Sequence, residues 1–215
     1  MLNTLIESLE KGISMNNYTV NAHKITPGRF REEQNIELHY RTNNKEGFLL
    51  YAKIFHGRPP DYLPWVELFD INDNINVSAT QSSYFNSSLE NLVLRTFSET
   101  LGSGARLFVE YYNDTETREE LQMGFPVVLS RLGFEMFRLG FTWFKDWYFP
   151  EGYMEGNQKL QGEKAVNTEA REKHTRNIID ELKNFANEAT QTNAAANFTQ
   201  HAFMRSAKII SMVNS

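Results

Sequence analysis

A chain of 215 residues with 40% hydrophobic and 13% aromatic content can bury a sizeable core without disulfides or a structural metal, and its composition excludes a disordered main body. A formal net charge of −5 and a pI near 5.6 exclude a general nucleic-acid or anionic-membrane binder, which needs a basic surface to neutralise phosphates. The absence of cysteine excludes disulfides, thiolate zinc sites and cysteine nucleophiles, and the apolar runs are too short to span a bilayer.

Leu2, Leu5, Ile6 and Leu9 form a short helical stripe that stops at Gly12. This start lacks the basic residues and apolar stretch of a signal peptide, so the expected location is the cytoplasm. A strand is predicted over 18–25, closed by Pro27-Gly28, and residues 29–34 read as a polar loop. Strands over 36–42 and 48–55, joined through Asn43-Asn44-Lys45-Glu46-Gly47, read as a hairpin. Arg58-Pro59-Pro60-Asp61-Tyr62-Leu63-Pro64 is a stiff connection, either a plain turn or a proline-rich recognition segment. The strand predicted over 65–71 places Glu67 on one face with Trp65 and Phe69. A polar, Asn- and Ser-rich segment then leads to a helix over 87–101 that Ser87 or Ser88 can cap, and Gly102-Ser103-Gly104 ends it.

Residues 105–156 read as a strand, a helix and a second strand. The first, over 105–112, is apolar on both faces except at Glu110, as for a central strand covered on each side. Asn113-Asp114-Thr115 starts a helix, and Thr117-x-x-Glu120 has capping-box spacing. Gly124-Phe125-Pro126 predicts a kink or restart, after which Phe125, Val128, Leu129, Leu132, Met136 and Leu139 form an apolar stripe that stops at Gly140. From Phe141 to Phe149 the period changes to two, with Lys145 and Asp146 inside an aromatic run, and Pro150-Glu151-Gly152 ends the strand.

Arg131-Leu-Gly-Phe134, with Gly140-Phe-Thr-Trp-Phe-Lys-Asp-Trp-Tyr-Phe-Pro-Glu-Gly152 and Glu155-Gly156, resembles an uncharacterised family, the domain of unknown function 1122. That family looks like a divergent branch of the acyl-CoA N-acyltransferase superfamily, whose last core helix runs into a Gly-Phe and a final pair of strands. The resemblance covers roughly residues 35–165 and implies a fold rather than an established reaction. In the superfamily, a glycine-rich turn at a helix N-terminus cradles the pyrophosphate of coenzyme A. This chain departs from that pattern between residues 72 and 88, and Gly102-Ser103-Gly104 follows its helix, at the wrong end of the dipole for phosphate.

After Gly162 the aromatics thin out. Helices are predicted over 168–187, with Ile178, Ile179, Leu182 and Phe185 on one side, and over 194–212, with Phe198, Ala202, Phe203, Ile209 and Ile210. The expected organisation is an acyltransferase-like α+β domain over 1–164, with a mixed, mainly antiparallel sheet flanked by helices. A C-terminal helical pair over 165–215 packs on the domain or on a partner subunit as a homo-oligomer.

Glu67 and Glu110 are the candidate general bases, since a carboxylate in apolar surroundings has a raised pKa; the alternative for each is a structural ion pair. Tyr148 is the candidate acid toward a leaving thiolate. Ser87 and Ser88 are the candidate cofactor contacts, and acetyl-CoA or another acyl-CoA is the cofactor class. Lys145, Asp146, Glu151 and Glu155 are a candidate polar pocket. The histidines, His23, His39, His56, His174 and His201, are dispersed without metal-ligand spacing, so no metal site is predicted. Two readings follow: acyl transfer from a CoA thioester to an amine, or a noncatalytic module that binds a small molecule or a protein through the aromatic strand.

Overall fold

In a computed structural model of the chain, the described residues are 2–15, 18–58, 63–69, 95–99, 101–111, 114–148, 158–191 and 200–215. Helix α1 (Leu2–Lys11) ends at Gly12, whose φ of 86° takes the left-handed turn expected there. Strands β1 (Ile13–Met15), β2 (Tyr18–Pro27), β3 (Glu33–Arg41), β4 (Glu46–Phe55) and β5 (Trp65–Phe69) follow. Helical residues 95–99 lead to β6 (Arg106–Glu110). Helix α2 (Thr115–Gln122), a 3-10 turn (Val127–Leu129) and α3 (Arg131–Arg138) come next. Strands β7 (Trp143–Tyr148) and β8 (Gln158–Glu163) and the helices α4 (Thr168–Gln191) and α5 (Gln200–Val213) complete the chain.

The strands form one eight-stranded sheet in the order β1-β2-β3-β4-β5-β6-β8-β7. Every described pairing is antiparallel except β5 with β6, where Trp65 stands opposite Arg106 and Leu68 opposite Val109. This is the mixed, mainly antiparallel α+β arrangement that the alternating patterns predict. The expected hairpin is present and longer than its apolar stretch, because Glu33 and Gln34 extend the ladder opposite Phe55 and Ile54. The predicted loop over 29–34 is a turn at 29–32; Glu33, buried, closes it by donating its backbone N–H to Phe30 O and accepting from the Arg29 amide through its side chain, and with Gln34 it already belongs to β3. Strands β1 and β8 are additions to the reading of the sequence. The second, with the sequence QKLQGE, lacks apolar alternation and is held as a strand by ladders on both edges.

One face of the sheet is the core. Val20, Ile36, Leu38, Ile54, Val66, Leu68, Leu107, Val109 and Leu160 meet Leu5 and Leu9 of α1, Phe97, and Leu132 and Met136 of α3. Strand β6 is therefore sealed on this side alone among the described helices, whereas the sequence predicts cover on both. A second cluster joins Phe125, Val128, Leu129, Phe134 and Phe137 to Ile178 and Leu182 of α4 and Ala202 and Ile209 of α5. The single apolar stripe predicted over 125–139 is thus divided: Leu132 and Met136 face the sheet, while Phe125, Val128 and Leu129 face the C-terminal helices.

Of the kink or restart predicted at Gly124-Phe125-Pro126, the structure has the restart: α2 ends at Gln122 and α3 begins at Arg131. Asp114, not a Thr117–Glu120 box, caps α2, accepting from Thr117 N at 3.3 Å. The other two residues serve α3 instead: Thr117 Oγ1 accepts from Leu132 N at 3.1 Å, and Glu120 Oε2 from Arg131 N at 2.7 Å. The spacing is right and the helix served is different, because both side chains lie beside the free amides of the next helix.

Candidate functional site

Alternation along the strands sends a second set of residues to the face opposite the core. On β4 these are Tyr51, Lys53 and Phe55; on β5, Trp65, Glu67 and Phe69; on β6, Arg106, Phe108 and Glu110; and on β8, Lys159, Gln161 and Glu163. Trp65 stacks on Phe55 with centroids 5.5 Å apart and meets the edge of Phe108 at 6.1 Å. Tyr51 stacks on Phe69 at 5.6 Å. The result is a platform of half-buried rings crossed by a line of charges.

Glu67 is at the centre of that line. Lys53, its direct cross-strand partner, brings Nζ to 3.9 Å from Oε2, and Lys159 Nζ donates to Oε1. Lys159 starts two strands away on β8, opposite Glu110, so its side chain crosses over β6 to reach Glu67. Glu67 therefore lies between two ammonium groups and not in the apolar surroundings that prompted its choice as a base. Its side chain is 15% exposed, which screens the ion pair only partly. Glu110 ends β6 beside Lys159 in register, so the two chosen carboxylates share one region through one lysine.

The carboxyl ends of the two parallel strands adjoin this cluster. Tyr111, immediately after β6, is buried and donates its hydroxyl to Asp146 Oδ1 of β7 at 2.8 Å. Burial first, then the hydrogen bond and the charge of Asp146, push the Tyr111 phenol well above its ordinary range. It acts as a neutral donor that fixes Asp146. Lys145 and Asp146 occupy consecutive positions on β7, opposite Gln161 and Leu160, so they serve opposite faces and do not line one pocket side by side. Tyr148 ends β7 in register with Gln158. Ser87, Ser88, Glu151 and Glu155 lie outside the described residues.

Reasoning from sequence missed Lys53, Lys159 and Tyr111. The first two carry no motif and become partners of Glu67 only through the strand order. Tyr111 was visible as a strand residue, but its bond to Asp146 depends on β8 pairing with both β6 and β7. At the far edge of the same face, His39 Nε2–H donates to Glu37 Oε1 at 2.8 Å, and the His23 ring stacks on His39 at 4.1 Å.

The family model described as "Protein of unknown function (DUF1122)" matches residues 16–189. A crystal structure of a protein of unknown function from Aquifex aeolicus VF5 is similar over 100% of this chain and 98% of its own, with 36% identity and a TM-score of 0.80. Among curated proteins, none matches. Among the described residues, no helix is long and apolar enough to cross a membrane.

Proposed function

From a chain that belongs to the DUF1122 family of proteins of unknown function, we infer a small-molecule site at the carboxyl ends of β5 and β6, with acyl transfer from a CoA thioester to an amine as its reaction class. The observation that carries this reading is the parallel pair β5–β6 within an otherwise antiparallel set of described strands, with Glu67, Glu110 and Lys159 gathered on it. In open sheets with parallel strands, ligands bind outside the carboxyl ends of the strands, at the point where the strand order reverses. The aromatic platform supplies apolar surface for an acyl or ring portion, and Lys53 and Lys159 supply cationic groups for an anionic one. In this reading Glu67 or Glu110 accepts the proton of the attacking amine, Tyr148 protonates the departing thiolate, and positioning of the two substrates carries most of the rate.

A second reading, a noncatalytic binding module, is favoured by one specific observation. Lys53 and Lys159 stand at the two carboxylate oxygens of Glu67, so both atoms that would accept a proton already face a structural partner. The missing glycine-rich turn in the sequence points the same way.

Titration with acetyl-CoA and free CoA, followed by melting temperature and calorimetry, tests the site, because a ligand that binds only the folded chain raises its melting point. Thiol release with an amine panel then separates the readings; the chain has no cysteine, so any thiol signal comes from CoA. Binding with thiol release that falls at least about tenfold in Glu67→Gln or Glu110→Gln supports acyl transfer. Binding without release supports the module, and no binding at millimolar ligand removes CoA from consideration.

A further inference from the structure

The register of the first strands contains two irregularities at one place. Between β2 and β3, Ala22 pairs with Leu38 and Lys24 with Glu37, which leaves His23 as the extra residue of a bulge. Between β3 and β4, Leu38 pairs with Leu50 and His39 with Phe48, which leaves Leu49 extra. Both Leu49 and Leu50 are buried, so the second bulge keeps two consecutive leucines on the core side. Bulges re-aim side chains, and they concentrate beside functional sites.

The outcome brings His23 of β2 to two neighbouring residues of β3, Glu37 and His39. Glu37 and His39 share a face of β3, because Ile36 and Leu38 take the core side. His23, released from the ladder, lies flat on His39 with an interplanar angle of 12°. One ligand atom from each of His23, Glu37 and His39 lies within 4.8 Å of the others, and among the described residues no other such group occurs.

We propose that His23, Glu37 and His39 form a binding site for a first-row divalent transition ion. Two imidazole nitrogens with one carboxylate oxygen suit zinc, iron(II), cobalt or nickel and disfavour magnesium or calcium, which take all-oxygen shells. The edge of a coordination polyhedron with bonds of about 2.1 Å is roughly 3.0 Å in an octahedron and about 3.4 Å in a tetrahedron. The 2.8 Å between His39 Nε2 and Glu37 Oε1 is slightly short of that edge, so a small separation of the two side chains lets an ion replace the proton that now bridges them. His23 is exposed, so its ring is free of packing that would stop it turning out of the stack to offer a nitrogen as the third ligand. Phe48 stands edge-on to His39, with centroids 6.2 Å apart, and supports that ring from the other side.

The surrounding charge permits a cation. Glu46 lies within electrostatic reach of both histidines and neutralises Arg41, the nearest guanidinium along β3, through a hydrogen bond of 3.0 Å. Lys24 is the other cation beside the cluster, in register with Glu37. Three protein ligands on an outer strand face leave at least one position to water, unlike a closed four-ligand structural site.

The test uses the full chain without a histidine tag, stripped with a chelator. Zinc is titrated by calorimetry, and cobalt(II) is followed by its visible absorption. The expected result is one ion per chain, a raised melting temperature, and cobalt bands that change between wild type and His39→Ala. His23→Ala, at an exposed position, should weaken zinc binding by at least about tenfold while leaving the melting point of the metal-free chain unchanged. His201→Ala, which alters the separate pairing of His201 with Glu116, should leave zinc affinity as it was. Equal zinc affinity in wild type and His23→Ala, or no uptake at about 0.1 mM zinc, a concentration well above that of any specific site, would overturn the proposal. Should His39→Ala fail to fold, the His23→Ala comparison alone decides it.

Discussion

Arg205 shows how much one residue can carry. It is 3% exposed on α5, and its guanidinium donates to Glu120 Oε1 at 2.6 Å, Leu129 O at 2.8 Å and Glu116 Oε1 at 2.7 Å. A buried charge without these partners would be untenable, so the position of α5 follows from the acids on α2. Arg205→Met is expected to lower stability by about 3–5 kcal/mol in urea unfolding, since it leaves Glu120 buried and uncompensated. The pH dependence has a definite sign. Burial holds the Glu120 carboxyl above its ordinary value, against the pull of Arg205. An acid with a raised folded pKa binds more protons folded than unfolded, so its contribution worsens as pH rises and recovers on acidification. Without Arg205 the shift grows, and the penalty of Arg205→Met should shrink from about pH 8 to about pH 5. A penalty that grows on acidification would show that Glu120 is not the group left stranded.

At the scale of elements, the segment from the 3-10 turn to β7 separates two glycines: Gly133, which sequence registers only within a motif, and Gly140, which it reads as a helix stop. A Cβ at Gly133 would lie 1.9 Å from Val127 O and 2.9 Å from Ser130 Oγ, the hydroxyl that caps α3 through the Gly133 amide. The backbone of the 3-10 turn occupies the place of a side chain. Gly133→Ala should therefore cost about 3 kcal/mol or more by overpacking. Gly140, by contrast, has nothing within 4 Å of its Cβ position and a φ of 92°, so Gly140→Ala should cost only about 1–2 kcal/mol of backbone strain. Urea midpoints of the two variants check the order. A Gly133→Ala chain as stable as Gly140→Ala would mean that the turn moves aside freely. The expected stop at Gly140 is thus sound for the reason of φ, while the glycine of Arg131-Leu-Gly-Phe134 serves close packing.

For the whole molecule, the two core clusters share α3 and its preceding turn. Leu132 and Met136 belong to the sheet side, whereas Phe134 and Phe137 belong to the helical pair. Arg205 and the acids of α2 tie the same pair a second time. Loss of either cluster deprives α3 of one of its faces, so unfolding should be cooperative. The tryptophans, Trp65, Trp143 and Trp147, are all on sheet strands, and the C-terminal helices hold none. Fluorescence and far-UV ellipticity in urea are expected to give coincident midpoints. An ellipticity transition that comes first would mean that α4 and α5 melt independently of the sheet.

What the sequence by itself determined is local: the period-two runs of β3, β4 and β7, the α1 stripe ending at Gly12, the break at Pro126, and the parity that puts Glu67 with Trp65 and Phe69. Each depends on alternation, dihedral preference or a missing amide, which act over a few residues. Only the tertiary structure decided which neighbours those residues meet. Strand order brought Lys159 across β6 to Glu67, and the ladders on both sides made a strand of QKLQGE. The bulge in β2 placed His23 beside His39, sixteen positions apart by sequence and unpaired by any spacing rule. Long-range register depends on the summed burial of a whole face, and no single segment of the sequence contains that sum.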